Sequence, residues 1–395
     1  MLALAGCGLV VLGCRKRPPP PRRADAGTGH TTPVERHLAA GGRTVCFQSG
    51  ERRVECRGEH AGSYDGGRGS ILGHQSGCIQ WRSGAWSCWG LSLYVHLAQG
   101  PKDWQAPGVD RIELPELSGV SSLRVQNHHY CGIKDGRVLC WGMNSHGVLG
   151  YSTTEPCPYG GWFVPCSTRP EPVPGLDHVI DLTLAEYGGC ALESDGSVWC
   201  WGRLTRSDSP HPPPWSGCDS PAQSDRAKAH CEPPPPRRVE RLPPIAQFAV
   251  SGGDPLYALG RDGRVYFWEG YGNPDPPAPV ERMERAVRIA SDCWGVCAIV
   301  RGGRVWCAKG SLLPNDHGSP NQSEFAVEPA EPVAGIEGAE EIAVACGFAC
   351  VMRADRSVVC WGDTDQLGPR TPSTGKRSHA PSPLQIYPSV EDGGI

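Results

Sequence analysis

Short apolar-rich arms, each pair joined by a turn, recur along the chain from residue 46 to residue 362. The stretch at 190–202, CALESDGSVWCWG, shows the unit: two β-prone arms around Asp195-Gly196, with a cysteine in each arm. Such a pattern predicts a β-hairpin. Further copies lie at 46–58, 78–90, 131–142, 257–270, 297–310 and 350–362, making seven. Another β-type stretch precedes several of them, as in HVIDLTLAEYGGC (178–190), RAVRIASDCWGVC (285–297) and EEIAVACGFAC (340–350). A unit therefore holds about four strands in roughly 50 residues, the length of a propeller blade. One hairpin buries too little by itself, so neighbouring copies must cover it. The expected fold class is all-β, a seven-bladed β-propeller.

Turn length predicts how the cysteines face each other. A three-residue loop at Ser194-Asp195-Gly196 pairs Leu192 with Val198 and brings Cys190 opposite Cys200. The 131 copy has one residue fewer between its thiols, but a two-residue Asp135-Gly136 turn restores Cys131 opposite Cys140. Opposed residues of an antiparallel pair lie within disulfide reach. The expected bridges are Cys46–Cys56, Cys78–Cys88, Cys131–Cys140, Cys190–Cys200, Cys297–Cys307 and Cys350–Cys360. The 257 copy carries Tyr257 and Phe267 at the two positions, an aromatic pair in place of a bridge.

The other cysteines follow a different logic. Cys157–Cys166 and Cys218–Cys231 fall in Pro-rich insertions, where pairing would cross-link segments without a core. Cys293 and Cys346 occupy the same slot of successive repeats, which favours an inter-repeat disulfide over zinc. Nine pairs then use all eighteen cysteines outside the N-terminal segment, and an even count agrees with oxidation.

Composition sharpens the setting. The 395 residues include 20 Cys, 52 Gly, 39 Pro and 13 Trp, with a net charge of −4. No basic excess argues for nucleic acid. Only six of the 38 basic residues are Lys, which we read as base-composition bias because it accompanies high Gly and Pro. This many thiols suits an exported chain. The start, MLALAGCGLVVLGC, resembles the end of a bacterial lipoprotein signal peptide with Cys14 as the acylated residue, Cys7 competing. No positive n-region precedes it, so the start codon is expected upstream. The Pro/Arg-rich residues 15–33 read as a semi-rigid tether. The expected division is residues 1–14 signal, 15–33 tether and 34–395 propeller.

Beyond these patterns, CGIKDGRVLCWGMNSHGVLG (131–150) and Trp361-Gly362 with Gln366-Leu367-Gly368 resemble the regulator-of-chromosome-condensation repeats. The resemblance covers about residues 35–390. It implies a seven-bladed propeller and sets Trp89, Trp141, Trp201 and Trp361 as wedges between blades. The 46, 257 and 297 copies lack parts of the motif, so irregular blades are expected there. The family's His before the hairpin is mostly absent, with His128-His129 filling that slot once and expected to pack within its blade. The terminal SPLQIYPSV resembles a strand that opens a unit. Since the first repeat begins partway, that C-terminal strand is expected to complete the first blade and close the ring.

No catalytic constellation is found, and the recurring Asp135, Asp195 and Asp262 sit before Gly in turns, where backbone geometry explains them. The chain is therefore read as non-enzymatic, monomeric, and without cofactor or metal. Function is assigned to insertions at roughly 91–118, 151–175, 203–240 and 311–330, with Trp104, Trp162, Phe163 and Trp215 as binding anchors for a protein partner. The expected function is a lipid-anchored, cell-envelope protein-binding or scaffold propeller. One alternative is an exported enzyme inhibitor, similar in fold to the secreted β-lactamase-inhibitor propeller. Nucleotide exchange on a GTPase, implied by some relatives, conflicts with export.

Overall fold

The computed structural model describes residues 38–41, 43–50, 53–58, 61–72, 76–90, 112–114, 117–126, 128–159, 162–185, 188–202, 218, 231–250, 256–268, 277–292, 295–314, 323–345, 347–362 and 384–387. These build seven antiparallel sheets, one per hairpin copy. Blade 1 is β1 (Leu38–Gly41), β2 (Thr44–Gly50), β3 (Arg53–Gly58) and β4 (Gly62–Asp65). Blade 2 is β5 (Gly67–Leu72), β6 (Ser76–Trp81), β7 (Trp86–Gly90) and β8 (Ile112–Leu114). Blade 3 has five strands: β9 (Arg124–Gln126), β10 (His129–Lys134), β11 (Arg137–Met143), β12 (Glu155–Tyr159) and β13 (Trp162–Pro172). Blade 4 is β14 (Val179–Ala185), β15 (Gly188–Glu193), β16 (Val198–Gly202) and β17 (Arg237–Arg238). Blade 5 is β18 (Ile245–Val250), β19 (Leu256–Gly260), β20 (Val265–Trp268) and β21 (Ala278–Pro279). Blade 6 is β22 (Ala286–Asp292), β23 (Gly295–Val300), β24 (Arg304–Pro314), β25 (Ser323–Val327) and β26 (Glu331–Pro332). Blade 7 is β27 (Ala339–Ala345), β28 (Phe348–Arg353), β29 (Val358–Gly362) and β30 (Leu384–Tyr387).

The hairpin registers put each cysteine pair directly across from its partner. Cys131 faces Cys140 and Cys190 faces Cys200, and Tyr257 faces Phe267 in the same slot. Asp135 and Gly136 both take positive φ (52° and 75°), the type I′ geometry that a two-residue loop needs. Six hairpin disulfides result, with Cα separations of 4.0–4.1 Å. Cys157–Cys166 and Cys218–Cys231 are joined as well. Cys7, Cys14, Cys293 and Cys346 lie outside the described residues, as do the signal and tether segments.

Blades adhere through one repeated device. In six of the seven hairpins the residue after the second cysteine slot lies in the apolar cluster of the preceding blade; blade 1 has Arg57 there, outside these clusters. Trp89 joins the cluster of blade 1, Trp141 that of blade 2, Trp201 that of blade 3 and Trp361 that of blade 6. Blade 5 uses Trp268 and blade 6 uses Ala308 at the same position. Of the blades expected to be irregular, 1 and 5 keep the common four-strand order, whereas blade 6 carries an additional strand, β25, paired with the extended β24.

Ring closure differs from the expectation. β30 pairs with β29 and completes blade 7, and β4 follows its own hairpin and completes blade 1. The short GSYD segment at 62–65 satisfies the outer edge of β3, so blade 1 has no vacancy for a distant strand. Blades 7 and 1 instead meet face to face. Leu38, Val45 and Phe47 pack with Ala343, Ala345, Phe348 and Met352, and the buried Glu341 carboxylate accepts the Leu38 N–H at 3.1 Å.

Candidate functional site

Topology first separates the two faces of the ring. In each of four crossovers, the first residue of an inner strand donates its N–H to the turn glycine of the preceding hairpin. These bonds are Val179 to Gly136 (2.9 Å), Ile245 to Gly196 (3.1 Å), Ala286 to Gly263 (2.9 Å) and Ala339 to Gly303 (3.0 Å). Hairpin turns and crossovers thus share one face. The third strand of each blade runs to the opposite face, so the strand ends flanking the insertions after β7, β11, β16 and β24 all lie there. Four insertions scattered along the sequence leave from a single surface.

The best-defined part of that surface belongs to blades 3 and 4. After β11, Asn144 is fully buried and organises the loop. Its amide donates to the Tyr151 carbonyl (2.9 Å) and to the Thr153 hydroxyl (3.0 Å), and its carbonyl accepts the Leu149 N–H (3.0 Å). The Trp201 indole reaches back from blade 4 to the Val148 carbonyl at 2.8 Å. A Cβ on Gly150 would come within 2.8 Å of that indole, and Gly150 has φ +73°, so both packing and backbone call for glycine.

From this loop β12 and β13 rise as a hairpin continuous with the blade, pairing Tyr159 with Trp162 and Pro158 with Phe163. Met143, Cys157, Val164 and Cys166 bury one another beneath it. The insertion was expected to lack a core, yet it has a small one. Gly160-Gly161 between two strand-like runs is a hairpin signal that the Pro-rich composition obscured. The second bridged insertion docks beside it. Thr153 and Cys231 exchange both backbone bonds at 2.9 Å, and His146 donates to the Cys218 carbonyl at 2.9 Å. Cys218 and Cys231 are fully buried.

Of the four aromatic anchors expected from sequence, Phe163 is half-buried on β13 and Trp162 is placed on the same strand. Trp104 and Trp215 lie outside the described residues. Glu155, Cys157 and Cys166 cluster closely enough to hold a cation, but both sulfurs are committed to a disulfide and offer no thiolate.

His129, on β10, departs from its expected role within one blade. Its imidazole donates to the Gly188 carbonyl of blade 4, and its Nε2 has no hydrogen-bond partner among the described residues. Burial, with the neighbouring His128 adding to it, pushes its pKa down to about 3. A permanently neutral imidazole inside a blade seam is a packing group, and no acid–base role follows from it.

The seven inner strands line a central channel with an open interior of about 200 Å³. Inner strands are sheet edges, so some of their peptide groups point into this channel unpaired. Side chains from adjacent blades cover several. Gln247 of blade 5 holds both peptide groups of Ile289 in blade 6, at 2.9 and 3.2 Å. Arg124 of blade 3 pairs with Asp181 of blade 4 at 2.8 Å.

Comparison with known proteins agrees with this geometry. Residues 135–192 match the family model described as the regulator of chromosome condensation (RCC1) repeat. The chain is similar to the human E3 ubiquitin-protein ligase HERC2, 26% identical over 278 residues, covering 64% of this chain and 5% of HERC2. It is also similar to human HERC6, a probable E3 ubiquitin-protein ligase, 28% identical over 172 residues, covering 41% of this chain and 14% of HERC6. The match thus spans a small fraction of those relatives. Among solved structures it is similar to Prp20p from Saccharomyces cerevisiae, described with its binding properties to Gsp1p and histones. That likeness has a TM-score of 0.56 and 14% identity, covering 81% of this chain and 76% of Prp20p. Human WBSCR16 is similar with a TM-score of 0.53 and 15% identity, covering 78% of this chain and 83% of that one. At these identities the structural likeness shows the fold alone.

Proposed function

We propose that this seven-bladed propeller, whose residues 135–192 match the RCC1 repeat, is a non-enzymatic, protein-binding module held outside the cytoplasm by a lipid on Cys14. It engages its partner through the insertion-bearing face of blades 3 and 4. The observation that carries this reading is the pair of disulfide-stapled insertions, 151–175 and 203–240, docked on each other above a rigid ring. Rigid scaffolds that display irregular segments are suited to recognition. Phe163, half-buried on β13, offers an aromatic ring of the kind that dominates interfaces, and Trp162 on the same strand is proposed as a second anchor. Trp104 and Trp215 belong to the same proposal as anchors.

Eight disulfides among the described residues fit an oxidising environment. No helix among the described residues is long and apolar enough to cross a membrane. That Prp20p binds Gsp1p and histones supports the general class of protein binding; its partners are not carried over to this chain.

The test is a photo-crosslinking amino acid placed at Phe163, with a second placement at Ser194 on the opposite face. Intact cells of the source organism should give one discrete adduct from position 163, competed by purified chain, and none from position 194. Equal labelling at both positions, or none at either, overturns the reading. Non-reducing mass spectrometry of the native protein reports acylation at Cys14 and the ninth pair, Cys293–Cys346.

A further inference from the structure

One position of the inner strands carries a side chain that can reach the next blade. In blade 5 it is Gln247, which holds both peptide groups of Ile289 in blade 6 at 2.9 and 3.2 Å. In blade 7 it is Glu341, which accepts the Leu38 N–H of blade 1 at 3.1 Å. Blade 4 has Asp181 there, held by Arg124 of blade 3, and blades 2 and 3 have the short Gly69 and Ser122. Register fixes the equivalences. The receiving residue lies one before the residue opposite the first cysteine slot, as Leu38 precedes Ala39, Ile289 precedes Ala290 and Ile342 precedes Ala343. At the seam of blades 6 and 7 the reaching residue is therefore Arg288 and the receiving residue Ile342, and both line the channel. A guanidinium only donates, so it cannot take the Ile342 N–H. Among the described residues the Arg288 guanidinium has no hydrogen bond or ion pair, and the Ile342 N–H, which register turns toward the channel, has no acceptor.

Packing marks the same seam. In the other six blades the residue in the place of Ile342 is buried: Leu38, Ser70, Leu123, Leu182, Phe248 and Ile289. Ile342 is only half-buried, as are Val344 beyond it on β27 and Ala290 on β22. The wall of the channel is open there, apolar on its sides and cationic at Arg288. We propose that this slot binds a small organic monocarboxylate, its head group on the Arg288 guanidinium and the Ile342 N–H and its apolar body against Ala290, Ile342 and Val344.

Three observations select that class of ligand. The fold itself places a carboxylate at the next seam, where Glu341 meets the Leu38 N–H, so a free carboxylate on Ile342 would repeat a contact the ring already makes. Charge limits the ligand to one negative unit. Arg124 is committed to Asp181, Glu341 adds a negative group beside Ile342, and Arg288 alone remains to balance a guest. A phosphate dianion or a polyanion would leave charge without a partner inside the ring. The half-buried apolar walls reward a hydrocarbon body, which an inorganic ion lacks. Space is sufficient, because the open interior is about 200 Å³ and a water molecule needs only about 15 Å³ of it. A planar guanidinium also matches a carboxylate bidentately. The site is independent of the insertion-bearing face and of the lipid anchor proposed above.

The experiment titrates the full oxidised chain into 4-fluorobenzoate and follows the fluorine NMR signal. Saturable broadening is expected, reversed by butyrate and not by inorganic phosphate, and absent with the uncharged 4-fluorobenzamide. Arg288→Gln puts at this seam the side chain that serves blade 5. It should keep the urea midpoint and the disulfide mass signature while weakening 4-fluorobenzoate roughly tenfold or more. Arg285→Gln, on the exposed crossover, should leave binding unchanged. If Arg288→Gln does not fold, Arg288→Lys keeps the charge without the fork and should weaken binding to a lesser degree. Absence of saturable binding would mean that water alone fills the slot, and overturns the proposal. Binding indifferent to Arg288, equal binding of the amide, or displacement by phosphate in preference to butyrate overturns it as well.

Discussion

The indole N–H of Trp201 in blade 4 donates to the Val148 carbonyl of blade 3 across 2.8 Å, tying two repeats together at a point where neither side chain meets water. The contact explains two motifs at once. Cys-Trp-Gly supplies the wedge, and Asn-x-x-Gly-x-Leu-Gly of the preceding repeat supplies the socket. Trp201→Ala is expected to cost about 3–5 kcal/mol through the cavity and the orphaned carbonyl. Trp201→Phe should cost less but still lower the urea midpoint. Equal midpoints for wild type and the alanine variant would contradict the wedge role.

Tyr257 and Phe267 face each other in the register that the six bridged hairpins use. The double variant Tyr257→Cys/Phe267→Cys is therefore expected to oxidise spontaneously. Intact mass would show the loss of two hydrogens, and free-thiol titration would be unchanged. Stability should nevertheless fall, because two packed aromatic rings exceed what a short loop closure contributes, about 2.5–3 kcal/mol at most.

A related test removes only the Tyr257 hydroxyl, which is buried and has no partner among the described residues. Burial also pushes its pKa above the ordinary phenol value. Tyr257→Phe should leave stability unchanged or raise it by about 1 kcal/mol, read as a shift in urea midpoint. A clear loss would mean that the hydroxyl is satisfied.

His129 predicts a pH dependence. Its folded pKa is depressed to about 3, whereas the unfolded chain titrates near 6.5. Below that value the unfolded state takes up a proton that the folded state refuses, so stability is present at neutral pH. It is lost as pH falls from 6.5 toward 3, at up to about 1.4 kcal/mol per pH unit. In urea melts the stability of wild type should fall more steeply from pH 6.5 to 4 than that of His129→Gln, which lacks this group. Parallel curves from pH 7 to 4 would count against it.

Glu341 holds the joint between blades 7 and 1 through the Leu38 N–H. Glu341→Ala leaves a buried donor unmatched and should cost about 1–3 kcal/mol, whereas Glu341→Gln keeps an acceptor and should recover much of it. Hydrogen exchange at Leu38 would report the opening directly. Removing residues after Pro381 is a milder change, since β30 is the outer strand of blade 7 alone.

The repeat count, the hairpin registers and six of the disulfides were legible in the sequence because they are local. Turn length and strand period decide which residues oppose each other within a dozen positions. A crossover motif is also present in the sequence. Val173, Leu176 and Val179 recur as Val280, Met283 and Ala286, and both trios are buried. A three-residue spacing over so short a stretch is shared by helical turns and irregular connections, so by itself it does not mark a crossover. The Pro-rich composition of residues 151–175 likewise concealed the hairpin of β12 and β13.

The seam partners and the closure of the ring were decided only in three dimensions. Similar strand-like segments compete for the same edge, and proximity along the chain does not say which wins. β4 lies a few residues from β3 and pairs there with little loop-closure cost, which leaves β30 to its own neighbour β29. Likewise, whether scattered charges and insertions share a face depends on strand direction summed around seven blades. Amino-acid order thus specified the modules and their covalent staples. Assembly specified the two faces, because only packing relates residues that a turn cannot bring together.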